Sequence, residues 1–152
     1  MQQIRILFVC HGNICRSPMA EFVMKDLVNK AGVADHFCIE SAATSSEELG
    51  NPVHWGTQEV LQENGIPFTP RKARRLNKWD ACSWDLIIGM DDANVRNIHR
   101  MLGSDLSAQV YKLMEFCGSD ADVADPWYTG DFETTYCDVM AGCRALLASL
   151  RR

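Results

Sequence analysis

The chain has 152 residues, 47% of them hydrophobic, and a formal net charge of -5. That length suits one compact domain over residues 1–152 with its own core, and the acidic balance argues against nucleic acid or a membrane surface as a partner, since both are bound chiefly through positive fields. Seven cysteines without a CxxC pair or zinc-type His spacing point to free thiols in a reducing cytoplasm and to no metal site, and the apolar stretch near the start, Ile6 to Val9, is too short for a signal segment or a spanning helix.

In chain order, Ile4 to Val9 is a β-branched and aromatic run that ends at the Gly12-Asn13 turn signal, which predicts a buried strand. A helix is predicted next, with Ser17 as N-cap, Pro18 at the first helical position, apolar residues at helical spacing from Ala20 to Ala31, and a stop at Gly32. Phe37 to Ala42 reads as a second strand. Asn51-Pro52 is expected to open a second helix that runs through Val60 and Leu61 to Gly65. Leu86 to Met90 reads as a third strand, Val95, Ile98 and Leu102 mark a helix, Gln109 to Leu113 is a fourth strand, and the spacing from Tyr136 to Leu150 predicts a long C-terminal helix. Strands alternating with helices imply an α/β fold of three layers, a mostly parallel four-stranded sheet with helices on both faces.

The segment Cys10-His11-Gly12-Asn13-Ile14-Cys15-Arg16-Ser17 sets a cysteine and an arginine in a C-x5-R pair between the first strand and the first helix. The spacing alone is weak, because a chain with this many cysteines and arginines produces such a pair by chance. Its setting adds weight. Gly12 and Asn13 tolerate the left-handed angles of a tight loop, so successive N–H groups converge on one point at a helix N-terminus and form an anion nest. Arg16, with its planar fork, would clamp two phosphate oxygens there, and Cys10 would lie beneath the phosphorus as a thiolate favoured by those donors. The Ser17 hydroxyl is expected either to cap the helix or to donate to Cys10. The competing reading makes Cys10 a buried strand-end cysteine and Arg16 part of a surface ion pair.

With those residues in view, Val9 to Glu21 resembles the V-C-x-G-N-I-C-R-S-P-x-A-E signature of the low-molecular-weight protein tyrosine phosphatases. Glu40 to Ser45, Gly89-Met90-Asp91 through Asn94, and Asp125-Pro126-Trp127-Tyr128 resemble further family segments in the expected order. The resemblance implies a Rossmann-like phosphatase fold with strand order 2-1-3-4 and a site at the carboxyl ends of the strands. It implies that Cys10 attacks phosphorus, Arg16 binds the phosphoryl oxygens, Asp125 protonates the leaving phenol and later activates water, and Asn13 and Ser41 hold the loop in shape. His11 to Ser17 would supply the phosphate-binding loop, and His11 is given no catalytic role. Cys15 would be a redox partner able to form a reversible disulfide with Cys10, sparing it from irreversible oxidation. The expected substrate is a phosphotyrosine protein or small aryl phosphate, with no cofactor, and the expected state is a monomer.

Departures from the family pattern bear on the rim of the site. Trp127 and Tyr128 are expected to wall the cleft, but Ser46-Glu47-Glu48 stands where many relatives carry an aromatic second wall. Glu47 then makes the mouth acidic and disfavours acidic residues beside the phosphotyrosine. Relatives often have a histidine before the A-R pair, where this chain has Pro70, so that hydrogen-bonding support is expected to be absent. The basic stretch Arg71 to Lys78 reads as a solvated helix face. Three alternatives remain open: a thioredoxin-coupled arsenate reductase, disfavoured because residues 89–94 hold no cysteine; an arginine-directed phosphatase, disfavoured by Ile14 where threonine is usual; and a non-catalytic phosphate-binding module, disfavoured by Asp125 on an aromatic loop.

Overall fold

A computed structural model describes residues 2–151. Four strands, β1 (Ile4–Cys10), β2 (Phe37–Ala43), β3 (Leu86–Gly89) and β4 (Gln109–Lys112), form one sheet in the order β2-β1-β3-β4. Every pairing is parallel, with Ile4 opposite Phe37 through Cys10 opposite Ala43, and Ile6 opposite Leu86. Five helices accompany it: α1 (Arg16–Lys30), α2 (Trp55–Glu63), α3 (Asp92–Leu102), the short α4 (Pro126–Thr129) and α5 (Phe132–Leu150). This is the three-layer arrangement and strand order expected from the sequence.

The two-residue period of β1 sorts the core into two faces. Ile6, Phe8 and Cys10 pack with Met19, Phe22 and Val23 of α1 and with Val139, Cys143 and Leu146 of α5. Leu7 and Val9 point the other way, onto Trp84, Ile98 and Leu102. Because both faces of the central strands are covered, the strands read as continuous apolar runs instead of alternating ones.

Several boundaries differ from expectation. The first helix begins at Arg16 with Cys15 in the N-cap position, so Ser17 is not the cap and its hydroxyl serves elsewhere. A conventional cap is unnecessary, since the Ser17 backbone N–H, one of the helix's orphan donors, points 3.4 Å to the Cys10 sulfur. The second helix starts at Trp55 instead of Asn51-Pro52, capped by His54, whose Nδ1 accepts from the Gly56 N–H; Pro52 pairs in an isolated bridge with Lys72. The third and fourth strands end one residue early, at Gly89 and Lys112. The last helix begins at Phe132, one turn ahead of the apolar repeat, because Asp131 caps it through the Thr134 N–H.

The basic stretch from Arg71 is not a helix face. It runs extended beside the end of β2, with the Ala43 N–H donating to the Arg74 carbonyl and the Leu76 N–H to the Ala43 carbonyl. That course folds Arg71 inward, where its side chain is 15% exposed, and pairs Arg74 with buried Asp80 through two hydrogen bonds of 3.0 Å.

Candidate active site

The loop after β1 turns on Asn13, which has φ of 59°, the one non-glycine residue in the left-handed region among the described residues. Such a conformation costs free energy unless the surroundings hold it, and the Asn13 amide is held on every side. Its Nδ2 donates to Ser17 Oγ at 2.8 Å and to Ser41 Oγ at 3.0 Å, while its Oδ1 accepts from Arg71 Nη2 at 2.7 Å and from the Arg74 N–H at 3.1 Å. The Ser41 hydroxyl in turn donates a hydrogen bond to Glu21 Oε1 at 2.6 Å, and Glu21 is 5% exposed. Asn13 and Ser41 thus lie together behind the loop, where they brace it.

This wiring sets the direction of one proton. Both Asn13 Nδ2 hydrogens are spent on Ser17 and Ser41, so Ser17 Oγ is an acceptor toward Asn13 and its hydroxyl hydrogen is free to point at Cys10 Sγ, 3.0 Å away. The Asn13 N–H, at 3.3 Å, and the Ser17 N–H also face the sulfur. Three donors therefore surround Cys10, itself 2% exposed at the end of β1.

Arg16 projects from the first turn of α1 with its side chain 3% exposed. Nη1 donates to Asp91 Oδ2 at 2.7 Å and to the Val123 carbonyl at 2.9 Å; Nη2 approaches Asp125 Oδ2 at 3.4 Å. Burial opposes its charge, yet Cys10, Asp91 and Asp125 together hold its pKa above the ordinary arginine value. Nε–H and the second Nη2–H have no acceptor among the described residues, which leaves two donors for a bidentate oxyanion. Asp125 has two duties: Oδ1 accepts the Trp127 N–H at 3.1 Å to cap α4, with Pro126 at the first helical position, and Oδ2 faces Arg16.

A cleft of about 460 Å³ brings together Cys10, His11, Gly12, Ile14, Cys15 and Arg16 from the loop with Asp125, Trp127 and Tyr128 and with Glu47 and Glu48 from the segment after β2. The loop and that segment are tied by the Thr44 N–H to the Cys10 carbonyl and by the Ser45 hydroxyl and N–H to the His11 carbonyl. His11 Nε2 lies 3.0 Å from Glu47 Oε2 at the mouth. A Cβ on Gly12 would sit 3.3 Å from Glu48 Cγ, so a larger residue there would crowd the rim. Cys15 is buried beside the nest, and burial first, then the charges of Cys10 and Asp125, push its thiol pKa far up. No helix among the described residues is long and apolar enough to cross a membrane.

The hydrogen-bonding support expected to be absent with Pro70 is supplied by Arg71, which donates to the Asn13 side chain and lies 3.6 Å from Glu21. Sequence reasoning also missed Asp91, which steers Arg16 and caps α3 through a reciprocal Asp91/Asn94 box. The D-x-x-N spacing was the available signal for the cap, but not for the contact with Arg16, 75 positions away.

The family described as low molecular weight phosphotyrosine protein phosphatase matches residues 5–152. The low molecular weight protein-tyrosine-phosphatase YfkJ of Bacillus subtilis is 42% identical over 151 residues, 98% of this chain and 97% of that protein, and its crystal structure superposes with a TM-score of 0.94 at 40% identity, covering 99% and 96% of the two chains. The crystal structure of a low molecular weight protein tyrosine phosphatase from Streptococcus pyogenes aligns at 0.88 and 42% identity over 97% and 93%; that of a Drosophila arginine phosphatase aligns at 0.91 and 27% over 98% and 99%. With the family model matching residues 5–152 and a relative 42% identical over 98% of its length, the chain belongs to the low molecular weight phosphotyrosine protein phosphatase family.

Proposed function

We propose that the protein hydrolyses phosphotyrosine and small aryl phosphates in two steps through a phosphocysteine at Cys10. The observation that carries this reading is the placement of Cys10 Sγ, with three donors around it, in the same cleft as the Arg16 fork and the Asp125 carboxyl. The phosphoryl group binds between the loop N–H groups of residues 11–17 and the two spare Arg16 donors. Cys10 sulfur attacks phosphorus, an S–P bond forms as the P–O bond to the ring breaks, and the departing oxygen takes its proton from Asp125. A phenolate has a conjugate pKa near about 10 and leaves poorly without that proton. Asp125, now ionised, removes a proton from water, the water oxygen attacks phosphorus, and the S–P bond breaks to release inorganic phosphate and the thiolate.

Trp127 and Tyr128 suit this role as flat walls for an aromatic ring. Phosphotyrosine, an ester, is favoured over phosphoarginine, a phosphoramidate, by Ile14, which lines the cleft where arginine-directed relatives usually have threonine. In the same reading Cys15 is the resolving thiol for oxidised Cys10; a Cys15→Ser variant that recovers from peroxide as readily as the parent would exclude it. The function is tested by hydrolysis of an aryl phosphate in the presence of a metal chelator. Turnover by the parent and none by a folded Cys10→Ser variant is expected, whereas no turnover by reduced, folded parent sinks the proposal.

A further inference from the structure

Five large apolar side chains are exposed among the described residues: Leu49, Trp55, Trp79, Trp127 and Tyr128. Trp127 and Tyr128 line the cleft, and Leu49 follows Glu48 in the rim segment. Trp55 belongs to the same surface through His54. The His54 N–H donates to the Ile14 carbonyl of the phosphate loop at 2.9 Å, and its ring meets Trp127 edge-on at 5.8 Å, Trp55 at 5.4 Å and Phe132, stacked, at 5.0 Å. Gly56 makes that stack feasible, because a Cβ there would strike the Phe132 ring at 2.6 Å. A row of aromatic rings, fixed to the loop that holds Cys10, therefore continues out of the cleft to Trp55, which is 70% exposed. Contiguous exposed apolar surface of this kind marks an interaction site.

The charge along the row is one-sided. Beyond Trp55 lies a second hollow of about 470 Å³, bordered by Glu59, Glu63, Asp131 and Glu133 as well as Trp55 and Phe132. None of these carboxylates, nor Glu47 or Glu48, pairs with a lysine or arginine among the described residues. His54 adds no countercharge: its Nδ1 accepts from the Gly56 N–H, and burial lowers its pKa against the pull of Glu48. Scattered carboxylates alone would simply be solvated. Here they flank indole and phenyl faces, and a cation is attracted to both.

We infer that the surface from Trp127 to Trp55 is a docking track for the substrate chain, and that it selects phosphotyrosine segments carrying lysine or arginine beside the phosphorylated residue. This rests on the proposed phosphatase activity and adds its substrate class. The ring centroids step from Trp127 to His54 by 5.8 Å and from His54 to Trp55 by 5.4 Å, and an extended peptide advances about 3.3–3.6 Å per residue, so a basic side chain about two to four positions from the phosphotyrosine comes over Trp55 and the second hollow.

The test compares kcat/KM for two phosphotyrosine peptides that differ only in lysine or aspartate at those positions, alongside a small aryl phosphate that cannot reach the track. At low ionic strength the lysine peptide is expected to be favoured about 3- to 30-fold, the combined effect of one exposed cation–π contact and one surface ion pair. The preference should shrink toward unity as salt shortens the Debye length from about 30 Å to a few Å. Glu59→Gln with Glu133→Gln, both at exposed positions, should remove most of it and leave aryl phosphate turnover as in the parent; Trp55→Ala should do the same. Equal rates for the two peptides overturn the inference, as does a preference that survives all three substitutions. So does a Trp55→Ala variant that merely converts a dimer to a monomer, since the surface would then cover a second copy of the chain. Failure of the aryl phosphate itself to turn over identifies the activity, and not the track alone, as wrong.

Discussion

Arg71→Ala tests how far the reactive loop depends on a residue that never touches the cleft. Its guanidinium supplies the 2.7 Å hydrogen bond to Asn13 Oδ1 and longer contacts to the Asn13 and Ser41 carbonyls, at 3.4 and 3.3 Å. It also faces Glu21 at 3.6 Å. After its removal Asn13 Oδ1 keeps only the Arg74 N–H, and Glu21 keeps Lys25 at 2.6 Å and Ser41. A lost hydrogen bond to a charged donor costs about 1.5–3 kcal/mol. The remaining partners of Glu21 soften the loss of the ion pair, so the expected destabilisation is about 2 kcal/mol, or a Tm lower by about 4–8 °C for a chain of this size. The effect on rate works through geometry. With the left-handed Asn13 less firmly held, the loop N–H groups drift from the phosphoryl oxygens, and a displacement of about 1 Å is worth on the order of 100-fold. A fall in kcat of about 10- to 100-fold with a smaller change in KM is expected, with Arg71→Lys recovering part of it. Urea denaturation and steady-state kinetics on an aryl phosphate measure both. A variant with parental stability and parental kcat would refute the reasoning.

Asp125→Asn should lower kcat/KM, which covers the steps up to release of the phenol, by about 10²- to 10⁴-fold for phenols that leave poorly and much less for activated ones; a uniform loss in kcat/KM across a leaving-group series would contradict its role as acid. Asp80 is buried, which opposes its charge, but hydrogen bonds from Arg74, the Asn77 N–H and Trp84 hold its pKa below the ordinary 3.8. A depressed carboxyl stabilises the fold at pH above that ordinary value, and the contribution is lost as pH falls through the folded value. Asp80→Asn should therefore cost about 1–2 kcal/mol at neutral pH, with the difference from the parent shrinking below about pH 4; an equal deficit at acid and neutral pH would be contrary. Gly56→Ala should destabilise by about 1–3 kcal/mol through the clash with Phe132, measured by urea denaturation, and an unchanged midpoint would show that the ring moves aside freely.

How much was legible in the sequence followed from the range of the interactions. β1, with its uninterrupted apolar run, and α1, with its apolar spacing, are local patterns, and both appear nearly where expected. The start of α1 was misjudged because Ser17 and Pro18 look like a conventional cap, whereas the helix's free N–H is satisfied by a thiol seven positions back. The Asn51-Pro52 turn signal likewise misplaces the start of α2, and the apolar repeat that marks α5 starts one turn inside the helix because the first turn, capped by Asp131, is polar. Cys10, Arg16 and their loop could be read from spacing and setting, and the cleft does gather them with Asp125, Trp127 and Tyr128. Arg71 and Asp91 could not, since they reach Asn13 and Arg16 across 58 and 75 positions and nothing in their own neighbourhoods announces it. Charge density misled at Arg71: a basic run is usually solvated, but one member of this run turns inward because a buried carboxylate, Glu21, receives it.

The proposed chemistry requires a covalent bond from phosphorus to Cys10, which acid quenching during turnover of an activated aryl phosphate, followed by mass spectrometry of the peptides, detects. One phosphoryl group is expected on the peptide that contains Cys10, accumulating further in Asp125→Asn, where water attack is slowed while departure of an activated phenol is spared, and absent from Cys10→Ser. Turnover with no such adduct, or with the phosphoryl group on another side chain, would contradict it.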